Sequence, residues 1–251
     1  MSIRAPETST RGGREPDPAR AGQPGTGRLT ARQVTAIVGV LALAVFMSSL
    51  DLFIVNLAFP YIGREYHGTS LDSLSWVLNA YTIVFAAVLV PAGRWADRIG
   101  RRRIFGAGLI GFSLGSALCG LSPGVPELIA ARIVQAVGAG LMVPASLSLL
   151  LASVPASGRA KAIGTWSALG ALGAVLGPVI GGSLVQVSWR WVFWINIPVG
   201  LLAVLLTARI VPESKDQHTR GRPDLAGAAL LAFARITRVG VALDDEIKAT
   251  V

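Results

Sequence analysis

Long apolar runs separated by short polar connections organise this chain. They predict membrane-crossing helices over 34–59, 74–92, 104–121, 128–151, 162–187 and 191–211. Each run is near the ~20 residues that a bilayer core requires. The first run is too long for the apolar stretch of a signal peptide, so it reads as a retained helix. Residues 1–30 carry Arg, Gly, Pro, Thr and Glu with almost no large apolar side chains, and read as a disordered cytoplasmic tail. After 212 the pattern falters. Residues 225–234 are apolar, but Arg235, Arg238, Asp244, Asp245, Glu246 and Lys248 then interrupt them. Such a short apolar run does not cross a bilayer, so 213–251 reads as a cytoplasmic linker, an incomplete seventh helix and a charged tail. The fold class that follows is an all-α membrane protein with a six-helix bundle over 31–212.

Composition agrees. The chain is 52% hydrophobic and 15% charged, against roughly 25% charged in soluble domains, which argues against a soluble enzyme. The net charge of +9 raises nucleic acid as a partner, but the arginines sit between apolar blocks rather than along one helix face. No nucleic acid is expected, and the lipid bilayer is. Basic residues gather in the tail, at 94–103, at 159–161 and at 215–222, whereas the opposite loops carry only Arg64 and Arg190. That asymmetry puts both ends of the bundle in the cytoplasm. Trp76, Trp189, Trp191 and Trp194 fall near span ends, where interface anchors belong. Cys119 has no second cysteine to pair with, and His67 and His218 both fall in loops, so no metal site is expected.

Four stretches hold candidate chemistry. The first, 91–105, reads as a tight charged loop in which Arg94, Arg98, Arg101, Arg102 and Arg103 crowd around Asp97, with Gly93 and Gly100 letting the chain reverse. The second is Asp51, well inside the first apolar run. An ionisable residue within a span costs at least several kcal/mol, so function is the default reading, and a carboxyl there can cycle a proton; the competing reading is a hydrated acid near a span end. The third is Arg132, with Gln135 three residues on and so on the same helix face. Its competing reading is an arginine snorkelling to the outer interface near Glu127. The fourth is Gly173, Gly177 and Gly181, a smooth face for close helix contact that ends in a glycine pair with Gly182. Pro178 within it should bend the helix. Two enzyme-like spellings, Gly106 to Gly111 and Gly111 to Gly115, lie inside a spanning helix and read as helix packing.

These four stretches carry a family resemblance. Gly93, Asp97, Arg98, Gly100, Arg101 and Arg102 resemble the G-x-x-x-D-R-x-G-R-R/K motif between the second and third helices of the major facilitator superfamily. Asp51, Ile54, Val55, Asn56, Ala58 and Pro60 are similar to the first-helix motif of its drug:proton antiporters, with Phe53 where threonine is usual. Arg132, Gln135, Gly138 and Gly140 resemble R-x-x-Q-G-x-G-G-A, with Ala136 in place of a glycine. Gly173, Gly177, Pro178, Gly181 and Gly182 resemble the antiporter signature G-x-x-x-G-P-x-x-G-G. The likeness covers about 29–230, including the stretch around Trp76, that after Phe112 and that after Trp189.

The resemblance implies the N-terminal half of a fourteen-span, proton-coupled exporter of small amphipathic compounds in the cell membrane. No cofactor is implied, the proton gradient being the energy source. Asp51, Arg132 and Gln135 would handle protonation. Gly93, Asp97, Arg98, Gly100, Arg101 and Arg102 would form the cytoplasmic gate, and Gly173, Gly177, Pro178, Gly181 and Gly182 the helix-5 antiporter motif. A second half, or a second copy of this chain, would complete the path. The alternative is a non-transporting membrane fragment.

Overall fold

The computed structural model describes residues 30–214. The expected tail before residue 30, and the incomplete seventh helix and charged end after 214, lie outside the described residues. The described chain is helical: α1 (Ala31–Glu65), α2 (Leu71–Ile99), α3 (Arg101–Leu121), α4 (Val125–Ser153), α5 (Arg159–Val187), α6 (Trp191–Trp194) and α7 (Asn196–Ile210). Six helical stretches are long and apolar enough to cross a membrane, α6 and α7 together making the sixth.

Several helices outrun their apolar runs. The N-terminus of α1 is set by a capping box, in which Thr30 Oγ1 accepts from Gln33 N and Gln33 Oε1 accepts from Thr30 N. At its other end α1 continues past Pro60 to Glu65. Proline removes a single backbone donor, and one more turn tolerates that near a helix end. Helix α2 likewise runs through Pro91 to Ile99, which overturns the reading of 91–105 as a loop. The sixth span departs the other way. Its hydrogen-bonding is interrupted at Ile195, where the backbone itself stays helical at φ -58° and ψ -28°, because Pro198 has no N–H to give the Trp194 carbonyl one turn back.

Contacts are heaviest between α3 and α4, between α1 and α5, and between α2 and α4. Close approach explains the glycines. A Cβ at Gly108 would lie 2.6 Å from Met142 N, and one at Gly115 would lie 2.5 Å from Gln135 N, so α3 crosses α4 nearly backbone on backbone. Of the glycines in the enzyme-like spellings of α3, Gly108, Gly111 and Gly115 face α4 as packing surface, whereas Gly106 has nothing within 4 Å.

Two apolar clusters stack along the bundle. One, containing Ile37, Met47, Phe105, Phe112, Met142 and Ala203, lies toward the end that bears Arg101–103. The other, containing Ile54, Leu128, Cys119, Val192 and Phe193, lies toward the end that bears Arg190. Every helix that passes from one cluster to the other crosses a polar layer between them. Trp189 belongs to the second cluster, is buried, and donates its ring N–H to Glu65 Oε2 at 2.5 Å. It is a core residue rather than an interface anchor, whereas Trp76 and Trp191 are half exposed.

Candidate functional site

The polar layer is built around Asp51, which has no exposed surface. Its carboxylate accepts three hydrogen bonds: Oδ2 from Arg132 Nη1 at 2.7 Å, and Oδ1 from Gln135 Nε2 at 2.8 Å and from Asn196 Nδ2 at 2.9 Å. Arg132 and Gln135 are also fully buried. Their three-residue spacing on α4 puts both on the face turned to α1, and Arg132 Nη1 donates to Gln135 Oε1 at 2.7 Å. The Arg132 guanidinium stacks 4.0 Å from the centre of the Tyr81 ring on α2, and its Nε donates to Val77 O at 3.3 Å. Ser116 of α3 closes the layer, its Oγ accepting from Gln135 Nε2 at 2.8 Å and from Asn196 Nδ2 at 2.9 Å. The close crossing at Gly115 is what brings Ser116 to Gln135.

Both competing readings of these charges fall. Asp51 is not hydrated at a span end, and Arg132 does not snorkel toward Glu127. Burial of an isolated charge is prohibitive, but a pair with its remaining lone pairs and protons bonded can persist, and this pair has nearly all of them met. Chemically, the layer is a carboxylate with a permanent cation on one oxygen and two neutral amides on the other.

Sequence reasoning brought Asp51, Arg132 and Gln135 forward and missed Asn196, Ser116 and Tyr81. A signal for Asn196 existed: a lone amide in the apolar stretch W-V-F-W-I-N-I-P. Ser116 and Tyr81 resemble many serines and tyrosines of spanning helices, and nothing local marks them.

The glycines of α5 pack on α1 beside Asp51. A Cβ at Gly173 would lie 2.5 Å from Phe46 O, at Gly177 2.9 Å from Phe53 Cβ, and at Gly181 2.7 Å from Ile54 Cγ1. Gly182 differs, a Cβ there meeting only Leu57 Cδ2 at 3.8 Å. Helix α5 is continuous through Pro178, which is exposed.

The charged turn is simpler than a cluster of arginines on one acid. Gly100 alone reverses the chain, with φ 131°, whereas Gly93 lies inside α2 with open space around it. Among the described residues, Asp97 accepts from Arg101 only, at 2.8 Å. Arg102 and Arg103 turn instead to the end of the sixth span. Arg102 Nη2 donates to Ala208 O at 2.8 Å, and Arg103 lies 3.6 Å from Glu213 Oε2. Glu213 Oε1 also accepts from Arg102 N at 3.1 Å, which sets a carboxylate on the positive end of α3. Arg94 and Arg98 pair with no acid among the described residues.

Known proteins share this arrangement of helices and much of its sequence. A profile of the Major Facilitator Superfamily matches residues 41–243. The multidrug resistance protein Stp of Mycobacterium tuberculosis is 41% identical over 194 residues, which is 76% of this chain and 36% of that protein. The methylenomycin A resistance protein of Streptomyces coelicolor is 38% identical, over 75% of this chain and 40% of its own length. The chain thus spans less than half the length of these curated relatives. Among solved structures, that of the peptide transporter POT in complex with sulfate superposes with a TM-score of 0.64 at 16% identity, covering 85% of this chain and 45% of that one. At that identity the likeness is one of fold.

Proposed function

Because the chain belongs to the Major Facilitator Superfamily, in its drug:proton antiporter branch and as the N-terminal half, we propose that it serves proton-coupled export of small amphipathic compounds. The observation that carries this reading is the buried Asp51–Arg132 pair at 2.7 Å. A carboxylate held midway along a spanning bundle, against a cation that never deprotonates, supports Asp51 as the group that carries the proton. The resistance names of its relatives support drug-like compounds as the class of substrate. In this reading the protein is a multi-pass protein of the cell membrane with the Gly100 turn in the cytoplasm. Asp97 and Arg101 form the gate there, and the α5 glycines let α5 and α1 move as one unit.

A second observation bears on partners. Asn56 and Asn79, on α1 and α2, are exposed within spanning helices and line a shallow hollow with Ser75 and Phe59. Amides facing lipid are costly, so this side is the one that would meet water, substrate and a second six-helix half or a second copy of the chain.

The test is proton-driven efflux from vesicles that contain the chain, with and without a co-expressed second half. Asp51→Asn keeps the shape of the side chain and removes its proton. The expected outcome is loss of the coupling between the proton gradient and efflux. Full coupled transport by Asp51→Asn would remove Asp51 from the mechanism.

A further inference from the structure

We infer that Asn196 is a positioning residue that ties the charge state of Asp51 to the seating of α7, an inference that rests on the reading of Asp51 as the proton carrier. The side chain is only 1% exposed, and its amide nitrogen is fully used, 2.9 Å from Asp51 Oδ1 and 2.9 Å from Ser116 Oγ. Its amide oxygen is buried without any partner. Buried polar atoms seldom go unpaired, and one that does asks for a reason.

Chemistry supplies one. The charged carboxylate of Asp51 can only accept, so Asn196 turns its NH₂ group toward it. When Asp51 takes a proton from hydronium, one O–H bond of that ion breaks to leave water, and the carboxyl gains an O–H that needs an acceptor. Around it, Arg132 has only donors to offer, and Gln135 Oε1 already accepts from Arg132 at 2.7 Å and from Cys119 Sγ at 3.7 Å. The buried hydroxyls of Tyr81 and Ser113 also lack partners among the described residues, but neither bonds Asp51; of the side chains that do, the one with an unpartnered acceptor is Asn196, at Oδ1. A half-turn of the amide brings it to Asp51, and the Ser116 hydroxyl, which both donates and accepts, follows. One side chain thereby fits both charge states in two orientations. The other groups facing Asp51 cannot take this part. Arg132 is a fixed cation on α4; Tyr81 of α2 lies under it; Cys119 of α3 reaches the layer through Gln135; α5 brings only glycines and apolar groups to α1 here.

Position turns this pairing into coupling. Asn196 is the first residue of α7, just past the interruption at Ile195, and that end of α7 has no side-chain cap. The fifteen residues of α7 make a rod of about 22 Å. Near its far end, Ala208 O accepts from Arg102 Nη2 at 2.8 Å, and beyond it Ser214 O accepts from Arg101 N at 3.0 Å. The rod therefore joins the buried acid to the charged turn. Gly200 removes the obstacle between, since a Cβ there would collide with Ser113 of α3.

Two readouts on the full chain in lipid vesicles test this. Infrared difference spectra follow the neutral carboxyl band of Asp51, assigned by its absence in Asp51→Asn. Hydrogen–deuterium exchange at the same pH values follows peptides over 101–103 and 196–214. In the wild-type chain, exchange in both peptides should step at the pH where the carboxyl band appears. Asn196→Leu should keep a titrating carboxyl, with its band displaced, and lose the exchange step. Asn196→Ser, whose hydroxyl both gives and accepts, should keep a reduced step, and it decides alone if the leucine chain does not assemble. An unchanged step in Asn196→Leu, or in Asn196→Ser, overturns the role of Asn196. So does a step lost in Asn196→Ser while the carboxyl still titrates, because Asn196 would then act through packing. If no carboxyl band separates the wild-type chain from Asp51→Asn at any pH, the proton-carrier reading itself falls, and the role of Asn196 with it.

Discussion

At the scale of single residues, Asp51 and Arg132 hold each other in place, and each is costly without the other. Removing one partner of a buried pair typically costs about 3–5 kcal/mol, whereas replacing both with well-packed apolar groups is often close to neutral. Arg132→Met should therefore destabilise the bundle by roughly that amount, and Asp51→Leu combined with Arg132→Met by clearly less than the two single changes summed. Unfolding by denaturing detergent, run as a double-mutant cycle, measures this; additive effects would mean that the 2.7 Å contact carries no coupling. Much of this site is legible in the chain of residues alone. A carboxylate and a guanidinium inside apolar runs are conspicuous because the bilayer penalises both. Their pairing is not legible there, since 81 residues separate them, and neither is the part of Asn196, whose partners lie on α1 and α3.

At the scale of elements, the glycines of α5 separate into those that α1 presses against and those it does not. Gly177 sits where a Cβ would be 2.9 Å from Phe53 Cβ, with α1 backbone just behind. Gly177→Val should force the two helices apart and cost about 1–3 kcal/mol. Gly106, inside α3 with nothing within 4 Å, is the contrast. Gly106→Ala should stabilise by roughly 0.5–1 kcal/mol by restraining the unfolded chain. Thermal melts in detergent compare the two, and equal losses would show that glycine spacing, rather than contact, is being read. The recurrence of glycine every four residues marks this face in the sequence. Spacing alone does not show that Gly182 lies off the contact, or that Gly93 makes no turn. Those depend on which helix stands opposite.

At the scale of the whole molecule, charge is segregated by end. Arg94, Arg98, Arg101, Arg102, Arg103, Arg159 and Lys161 lie at one end of the bundle and Arg64 and Arg190 at the other. The side chain of Arg103 is 67% exposed, and the native Cys119 is buried, so Arg103→Cys offers a clean topological probe. A membrane-impermeant maleimide should label it in inside-out vesicles and leave intact cells unlabelled. Labelling of intact cells would reverse the assigned orientation and remove the basis for export.

The sequence by itself determined the six spans of the described residues, their order, which connections share one end of the bundle, and the residues whose burial would need an explanation. All of these follow from solvent, because hydrophobic length and the placing of arginine are settled residue by residue against lipid and water. Only the tertiary structure decided what meets in the middle. Asp51, Ser116, Arg132 and Asn196 come from four helices, and they share one polar layer because α1, α3, α4 and α7 cross at residues small enough to let them touch. The turn at Gly100 shows the same division: its charge was plain from the chain, but its partners Ala208, Glu213 and Ser214 are brought there by the return of α7.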